Sequence, residues 1–311
     1  MRMIACLALV VALTGCAAFS DEAPGSADGV QVATAFYPLQ YVAQRVAGDL
    51  ATVENLTQPG AEPHDLELTV AETAAIAGAD LVVHERDFQP GIDDAIAQNA
   101  TGEVIDAAAA VGLEPFSEVG HEHGAEDHAD DAAVEHDHGD LDPHFWQDPL
   151  RMADLGDAVA AELGRADPGN ADVYEANAGE LRSDLESLDA DYARGLASCE
   201  RTTVVVSHDA FGYLGKYGLE MEPIAGLSPE AEPTPADLAR LQGLIRDEGV
   251  TTVFSERLVS PRLSQTLADD MGIASAVLDP VEGLSDQTAG EDYLSLMRAN
   301  LDALMRANGC S

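Results

Sequence analysis

Short apolar runs alternate with amphipathic segments along most of the chain, and this alternation occurs twice. A repeated βαβα order predicts parallel sheets that are covered by helices. Helix starts are signalled by Thr234-Pro235 and Ser260-Pro261, where a capping hydroxyl precedes a proline. The predicted strands cover residues 30–36, 52–56, 80–84 and 103–106 in the first half, and 202–207, 220–224, 251–255 and 275–278 in the second.

The stretch between the halves, residues 150–197, has no strand pattern in its second part and is broken once, at Asp167-Pro168-Gly169. It predicts a long connecting helix. Because the chain is longer than one compact core usually holds, we expect two lobes. The predicted fold class is therefore α/β, with two lobes that each hold a mostly parallel sheet with flanking helices. A long rigid helix joins them and permits only small lobe movements.

The first sixteen residues predict export from the cytoplasm. Arg2 precedes an apolar run over residues 4–13, which is too short to span a bilayer, and Leu13-Thr14-Gly15-Cys16 follows. This tetrapeptide resembles the lipobox of bacterial lipoproteins, which implies that Cys16 is acylated and becomes the mature N-terminus. The alternative is a plain secretory signal that is cleaved elsewhere.

Two cysteines, Cys199 and Cys310, remain in the predicted mature chain besides Cys16, since Cys6 lies in the signal. An extracellular setting favours their pairing, so we predict a Cys199–Cys310 disulfide.

The predicted segments follow from these features. They are a signal peptide over residues 1–15, a flexible tether over 16–29, an N-terminal lobe over 30–157, a connecting helix over 158–198 and a C-terminal lobe over 199–311.

The charge of the chain is strongly negative, with 57 acidic and 15 basic residues. Such a surface repels nucleic acid and anionic lipid, so we expect no nucleic-acid partner. It is compatible with a cationic ligand, but a solubilising surface suited to a salty habitat explains it equally well.

Three histidines and one aspartate stand where predicted strands end. Ligands in open parallel sheets bind beyond the carboxyl ends of the strands, so these side chains can converge in a cleft. Three imidazoles and a carboxylate suit zinc, although a single histidine before an aspartate is usually a capping or surface residue, and Asp279 before Pro280 is equally typical of a turn. The motifs are Pro63-His64-Asp65, Asp142-Pro143-His144-Phe145-Trp146, Ser207-His208-Asp209-Ala210-Phe211-Gly212 and Leu278-Asp279-Pro280.

Residues 60–69, 142–149, 207–214 and 278–280, with Phe254-Ser255-Glu256, resemble the signature blocks of the zinc and manganese solute-binding proteins of ABC importers. The resemblance follows the order of the family along nearly the whole mature chain. It implies two lobes joined by a helix and a buried metal in the cleft. It also implies that the ligands are His64, His144, His208 and Asp279.

The resemblance also ranks the metals, because zinc-type members have a histidine at the position of His208, where manganese-type members tend to have a carboxylate. A nitrogen-rich set of ligands suits zinc better than manganese. Arg257 departs from the family, which often has an uncharged residue there. Glu256 is a reserve ligand in case Asp279 is too distant.

Residues 118–142 are rich in histidine and acid, contain no lysine or arginine, and have the composition of a disordered loop. The segment resembles the His-rich loop of zinc-type members, which implies weak auxiliary metal binding; a solvated spacer is the alternative. Its histidines are His121, His123, His128, His136 and His138. We interpret His84, at the end of a predicted strand, as structural or cleft-lining.

We therefore expect a monomeric binding protein that is not an enzyme. It is predicted to capture Zn²⁺ as a transported ligand and to deliver it to an ABC permease and its ATPase, from a lipid anchor on the extracytoplasmic face of the membrane. Three alternatives are manganese or iron uptake on the same fold, a secreted zinc metallohydrolase and an adhesin.

Overall fold

The computed structural model describes residues 29–116 and 141–311 of the chain. The predicted signal peptide, the predicted lipidation site Cys16 and the five histidines between positions 121 and 138 lie outside the described residues. Within residues 29–116 and 141–311, no helix has both the length and the apolar character needed to cross a membrane.

The first lobe is built on a sheet of four parallel strands with the spatial order β2-β1-β3-β4. Helices follow the strands in alternation, as the sequence predicts. The strands are β1 (Val30–Thr34), β2 (Ala51–Asn55), β3 (Leu81–His84) and β4 (Glu103–Asp106). The helices are α1 (Tyr37–Ala47), α2 (Val70–Gly78), α3 (Pro90–Asn99) and α4 (Ala107–Val111). A short antiparallel ribbon, β5 (Glu114–Pro115) and β6 (Leu141–Asp142), precedes a 3₁₀ turn at Phe145–Gln147.

The second lobe repeats the same arrangement, because its sheet has the order β10-β9-β7-β8 and all pairs are parallel. Counted along the chain, both sheets therefore have the order second, first, third, fourth. The strands are β7 (Thr203–Val206), β8 (Glu220–Pro223), β9 (Thr252–Ser255) and β10 (Ala274–Val277). The helices are α7 (Pro235–Asp247), α8 (Arg262–Met271) and α9 (Tyr293–Asn308), with a 3₁₀ helix at Gly212–Tyr217. All eight predicted strands are present within two residues of the predicted bounds.

Helix ends follow the local sequence. Thr234 caps α7, since its hydroxyl accepts from the N–H of Asp237 and the Asp237 carboxylate accepts from the N–H of Thr234. The second predicted start is displaced by one residue: Pro261, not Ser260, is the capping residue of α8. Gly309 ends α9 in the left-handed conformation, with φ 65°, which glycine adopts without strain.

The segment between the lobes differs from the single broken helix predicted over residues 158–198. It forms two helices that pack side by side, α5 (Pro149–Ala166) and α6 (Ala171–Gly195). Helix α6 contacts both lobes, through α1 on one side and α9 on the other. At its end, a Cβ on Gly195 would lie 2.9 Å from Met305 Sδ, so glycine permits the close approach of α6 and α9.

One hydrophobic core extends through both lobes. A single cluster of buried side chains includes Val32 and Val82 of the first sheet, Leu181 of α6, and Val206 and Leu301 of the second lobe. A smaller separate cluster lies between the second sheet and the helices α7 and α8. Because the lobes share their main core, large hinge movements would expose apolar surface to water, which costs free energy in proportion to area.

The predicted disulfide between Cys199 and Cys310 is present and links the segment before β7 to the end of α9. Backbone hydrogen bonds accompany it, from the N–H of Glu200 and of Arg201 to the carbonyl of Asn308. The covalent bond thus reinforces contacts that already hold the C-terminus in place.

Removing this bond should destabilise the protein without affecting ligand capture. The bond closes a loop of 111 residues, so replacing both Cys199 and Cys310 by serine should lower the free energy of unfolding by about 4 kcal/mol. Urea unfolding of the two proteins measures the difference. A change below about 1 kcal/mol would contradict the expectation that the bond mainly restricts the unfolded chain.

Candidate metal centre

Four side chains that could bind a metal follow the carboxyl ends of four strands. His64 lies in the loop after β2, His144 follows β6, His208 follows β7, and Glu282 lies in the loop after β10. In both lobes the strand order reverses beside the first strand, and such switch points of parallel sheets form clefts that bind ligands. The topology therefore brings distant parts of the chain to one place between the lobes.

His144 is oriented by Asp142. The Oδ1 atom of Asp142 lies 2.9 Å from the backbone N of His144 and 2.8 Å from its Nδ1. A carboxylate at Nδ1 holds the proton there, so that Nε2 carries the lone pair. Gly212 of the other lobe is needed for this geometry, because a Cβ there would lie 2.5 Å from Asp142 Oδ2.

His208 is oriented in the same way by Glu256. The Oε1 atom of Glu256 lies 2.9 Å from Nδ1 of His208 and also accepts a hydrogen bond from the hydroxyl of Ser207. Glu256, named above as a reserve ligand, thus contacts the nitrogen of His208 that faces away from Glu282. Its carboxylate supports a ligand in this structure.

His64 is held by packing and by its backbone. Its ring lies edge-on to Phe88 with 4.6 Å between the ring centroids, and its backbone N–H donates to Glu62 Oε2 at 3.0 Å. Burial raises the pKa of Glu62 to about 7, and the charge of Glu282 adds to the effect. Around the histidines, Phe36, Phe88 and Trp146 form a layer of aromatic rings that excludes water.

The three Nε2 atoms surround one oxygen of Glu282. Glu282 Oε1 lies 3.6 Å from Nε2 of His64, 3.7 Å from that of His144 and 3.4 Å from that of His208. All four ligand atoms lie within 4.8 Å of one another, and all four residues are buried. A tetrahedral zinc with bonds of about 2.0–2.1 Å requires about 3.3–3.4 Å between its ligand atoms. The four side chains therefore fit a tetrahedral ion after small adjustments.

Three of the four ligand atoms lack a hydrogen-bond partner among the described residues. Nε2 of His144, Nε2 of His208 and Oε1 of Glu282 are buried and make no hydrogen bond with any residue in the described part of the chain. Buried polar atoms normally have partners, and several convergent exceptions indicate a site for an ion.

The charges of the cluster shift the pKa values of its members. Burial acts to lower the pKa of His64, but the nearby Glu282 carboxylate raises it overall. Burial acts in the same direction on His208, and there the charges of Glu256 and Glu282 raise the pKa well above its usual range. Burial acts to raise the pKa of Glu282, and the imidazoles of His208 and His64 lower it well below its usual range. The carboxylate is therefore ionised and ready to bind a cation.

Asp279, the carboxylate chosen from the sequence, is not brought into this group. Its Oδ2 lies 2.9 Å from Nε of Arg257, and its Oδ1 accepts the N–H of Val281 at 2.9 Å. Both oxygens are therefore engaged, and Glu282, three residues later, supplies the carboxylate beside the histidines. The only signal for Glu282 in the sequence is a second acid in the same loop.

His84 lies outside the group, as expected. Its Nδ1 is 2.9 Å from Asp93 Oδ1 at the end of β3, so it links this strand to α3. The five histidines of the predicted auxiliary loop lie outside the described residues.

A model of one protein family matches most of the chain. The family is ZnuA, described as "Zinc-uptake complex component A periplasmic", and the match covers residues 32–307. The chain belongs to this family. ZnuA proteins are solute-binding proteins of zinc-uptake systems and not enzymes, which excludes the metallohydrolase alternative.

Relatives within the ZnuA family cover nearly all of this chain. The high-affinity zinc uptake system protein ZnuA of Bacillus subtilis (strain 168) is 33% identical over 309 residues, which are 97% of this chain and 95% of that protein. The zinc-binding lipoprotein AdcA of Streptococcus pneumoniae (strain ATCC BAA-255 / R6) is 36% identical over 289 residues, 89% of this chain. The chain spans 56% of AdcA, little more than half of it.

The fold agrees with this membership. The crystal structure of Zn(II)-bound AdcA from Streptococcus pneumoniae superimposes with a TM-score of 0.74 and 31% identity, over 90% of this chain and 58% of that one. The two-lobe α/β fold of the ZnuA family, predicted from the strand pattern, is thereby confirmed.

Proposed function

We propose that this chain captures a zinc ion between its lobes and delivers it to the permease of an ABC importer. The proposed ligands are His64, His144, His208 and Glu282. The observation that carries the proposal is the convergence of three Nε2 atoms on one buried carboxylate oxygen, at separations that suit a tetrahedral ion. Membership of the zinc-uptake family supports it.

The ligand set favours zinc over manganese and iron. Three imidazole nitrogens and one carboxylate oxygen make a borderline-soft site, whereas manganese prefers octahedral coordination by six ligand atoms that are mostly oxygen. Asp142 and Glu256 each hold a carboxylate against a ligand histidine, which strengthens that histidine as a donor. The carboxylates of Asp142, Glu256 and Glu282 all lie near the proposed ion site, so their negative charges favour binding of a doubly charged ion.

We also propose that export and anchoring through Cys16 hold the protein at the extracytoplasmic face of the membrane, as a monomer beside the permease and its ATPase. The support is the Leu13-Thr14-Gly15-Cys16 sequence and the naming of AdcA as a lipoprotein. A tethered receptor stays close to the transporter that must receive the ion. Metabolic labelling with a radioactive fatty acid, compared between the natural chain and Cys16→Ala, tests the anchor.

Competition between metals tests the proposed function. The full chain, titrated with Zn²⁺ or Mn²⁺ against a chelator of known affinity, should bind one tight equivalent of zinc. Its affinity for zinc should exceed that for manganese by at least about 100-fold, because manganese loses its preferred oxygen ligands. Equal or tighter binding of manganese would assign the protein to manganese uptake instead.

The histidines between positions 121 and 138 are proposed to bind additional zinc weakly. Deleting residues 121–138 should remove the weak equivalents and leave the tight one, because the four proposed ligands lie outside the deletion. Zinc titration of both chains, with zinc uptake measured at limiting supply, tests this role. Unchanged stoichiometry and uptake would support the alternative of a simple spacer.

Acidity should oppose zinc capture. Imidazoles must be neutral to bind zinc, but Glu282 raises the pKa of His64, and Glu256 and Glu282 together raise that of His208. In the zinc-free protein, the protonated His64 and His208 stabilise the folded state. This stabilisation is complete below about pH 6.5, the pKa of histidine in the unfolded chain, and is lost as the pH rises through the raised pKa values of the folded protein. The lowered pKa of Glu282 gives stability that is present above about pH 4.3 and is lost only in stronger acid.

Zinc should therefore raise the unfolding temperature more at pH 8 than at pH 5.5. Thermal unfolding with and without zinc, in buffers that do not bind metal, measures it. An equal rise at both ends of this range would show that no proton is displaced when zinc binds.

A further inference from the structure

The turn that carries Glu282 is strained. Val281 has φ 62°, and Val281 and Asp87 are the two residues other than glycine with positive φ in the described ranges. A β-branched residue in the left-handed region is a genuine outlier, and such strain persists only where the surroundings enforce it. The Val281 side chain is fully buried in the main core.

Asp279 closes this turn from within. Its Oδ1 accepts a hydrogen bond from the N–H of Val281 at 2.9 Å. This bond spans Pro280 and holds the strained residue Val281 close to Asp279. Its backbone is also fixed, since Asp279 N–H donates to Oδ1 of Asn300 at 2.9 Å and Nδ2 of Asn300 donates to the carbonyl of Asp279 at 2.6 Å. The start of the turn is thus anchored to α9.

The first lobe fixes the middle of the same turn. The carbonyl of Pro280 accepts from Nε1 of Trp146 at 2.8 Å and from Nε2 of Gln147 at 2.5 Å. With the Val281 N–H bound to Asp279, the peptide between Pro280 and Val281 is therefore held at both its carbonyl and its N–H. This peptide and the backbone of Val281 lead directly to Glu282, so their fixed orientation restricts where the Glu282 side chain can point.

We infer that Asp279 is a positioning residue, which acts through the turn to direct Glu282 at the three histidines and does not bind the metal itself. The inference rests on the proposed function, since it presupposes that Glu282 is a ligand. Arg257 has a lesser part, because it binds the second oxygen of the buried Asp279 from a partly exposed position, where water screens its charge.

Two substitutions of Asp279 separate positioning from ligation. Asp279→Asn keeps an oxygen that can accept the N–H of Val281 but removes the charge, whereas Asp279→Ala removes both. Zinc affinity is measured by chelator competition. In Asp279→Asn it should stay within about fivefold of the affinity of the natural chain. In Asp279→Ala it should fall about 10–100-fold, which is the usual loss when a residue that supports a metal ligand is removed. Arg257→Gln, which leaves the turn intact, should change affinity less than about threefold.

A double-mutant cycle tests whether Asp279 acts through Glu282. If it does, adding Asp279→Ala to Glu282→Gln should cost little further affinity, because the group being positioned is already impaired. Additive losses would overturn the inference, and so would an Asp279→Asn protein as weak as Asp279→Ala.

Folding and the proposed function have separate readouts. If circular dichroism shows that Asp279→Ala does not fold in the absence of zinc, Asp279→Asn is compared with Glu282→Gln instead. Near-natural zinc affinity in Asp279→Asn supports the positioning role of Asp279. Equal losses of affinity in the two variants overturn it. If Glu282→Gln binds zinc as tightly as the natural chain, the assignment of Glu282 as a ligand fails, and positioning by Asp279 fails with it. Near-natural affinity in Glu282→Gln with a large loss in Asp279→Asn would make Asp279 the ligand.

Discussion

Replacing His144 by alanine is expected to weaken zinc binding by at least about 1000-fold, or roughly 4 kcal/mol. The change removes one of four proposed ligands and leaves the buried Asp142 carboxylate without the imidazole that it orients. The protein should still fold, because one truncated buried side chain costs about 1–3 kcal/mol, which a typical domain tolerates. Chelator competition measures the affinity, and thermal unfolding without zinc measures the stability.

His84→Ala is the matched control for this experiment. His84 is also a buried histidine with a carboxylate at its Nδ1, but it lies outside the four-residue group. It should lose comparable stability and keep its affinity for zinc. Unaltered affinity in His144→Ala, or an equal loss in His84→Ala, would refute the assignment of His144 as a ligand.

Replacing Glu282 by glutamine should weaken zinc binding by about 100-fold, or roughly 2.7 kcal/mol. A neutral amide oxygen is a poorer ligand than a carboxylate, and the doubly charged ion loses the one negative charge that faces it directly. The same change removes the charge that raises the pKa of His64 and contributes to that of His208. The stability of the zinc-free protein should therefore depend less on pH between about 6 and 8.

Glu62→Gln provides the comparison for Glu282→Gln. Glu62 stands near His64 and accepts its backbone N–H, a role that a glutamine oxygen retains. Its affinity for zinc should change only a few-fold. A similar loss in both variants would show that the general negative charge of the site, and not ligation by Glu282, accounts for the effect.

The strands could be predicted from the apolar pattern, whereas three of the four proposed ligands are implied by the resemblance to the solute-binding family. Parallel strands that are buried on both faces appear as short apolar runs, and Ser207-His208-Asp209 follows such a run directly, whereas Pro63-His64-Asp65 lies further on, in the loop after β2. Topology then brings the residues at the strand ends together. The repeated strand order of the two lobes follows from the repeated βαβα pattern.

The choice between Asp279 and Glu282 depends on interactions that no local pattern contains. Both acids lie in the loop after β10, and Asp279 binds Arg257, which lies 22 positions earlier, and the N–H of Val281, which has a left-handed conformation. A buried valine with positive φ is the opposite of what propensity predicts. Departures from local rules of this kind are expected at functional sites.

The connecting region could be predicted only in part. The break at Asp167-Pro168-Gly169 is correct, but the sequence does not reveal that α5 packs back along α6 or that α6 contacts both lobes. Nor does it reveal that both lobes share one hydrophobic core. These features depend on which faces of amphipathic helices meet, which periodicity alone does not determine.

A crystal structure of the full chain loaded with one equivalent of zinc, with anomalous data collected on both sides of the zinc absorption edge, would identify the metal and its four ligands. We predict a single strong anomalous peak, bound tetrahedrally by Nε2 of His64, His144 and His208 and by one oxygen of Glu282, with Asp279 still bound to Arg257 and Val281. A zinc ion bound by Asp279, or located away from the three histidines, would refute the proposed metal site.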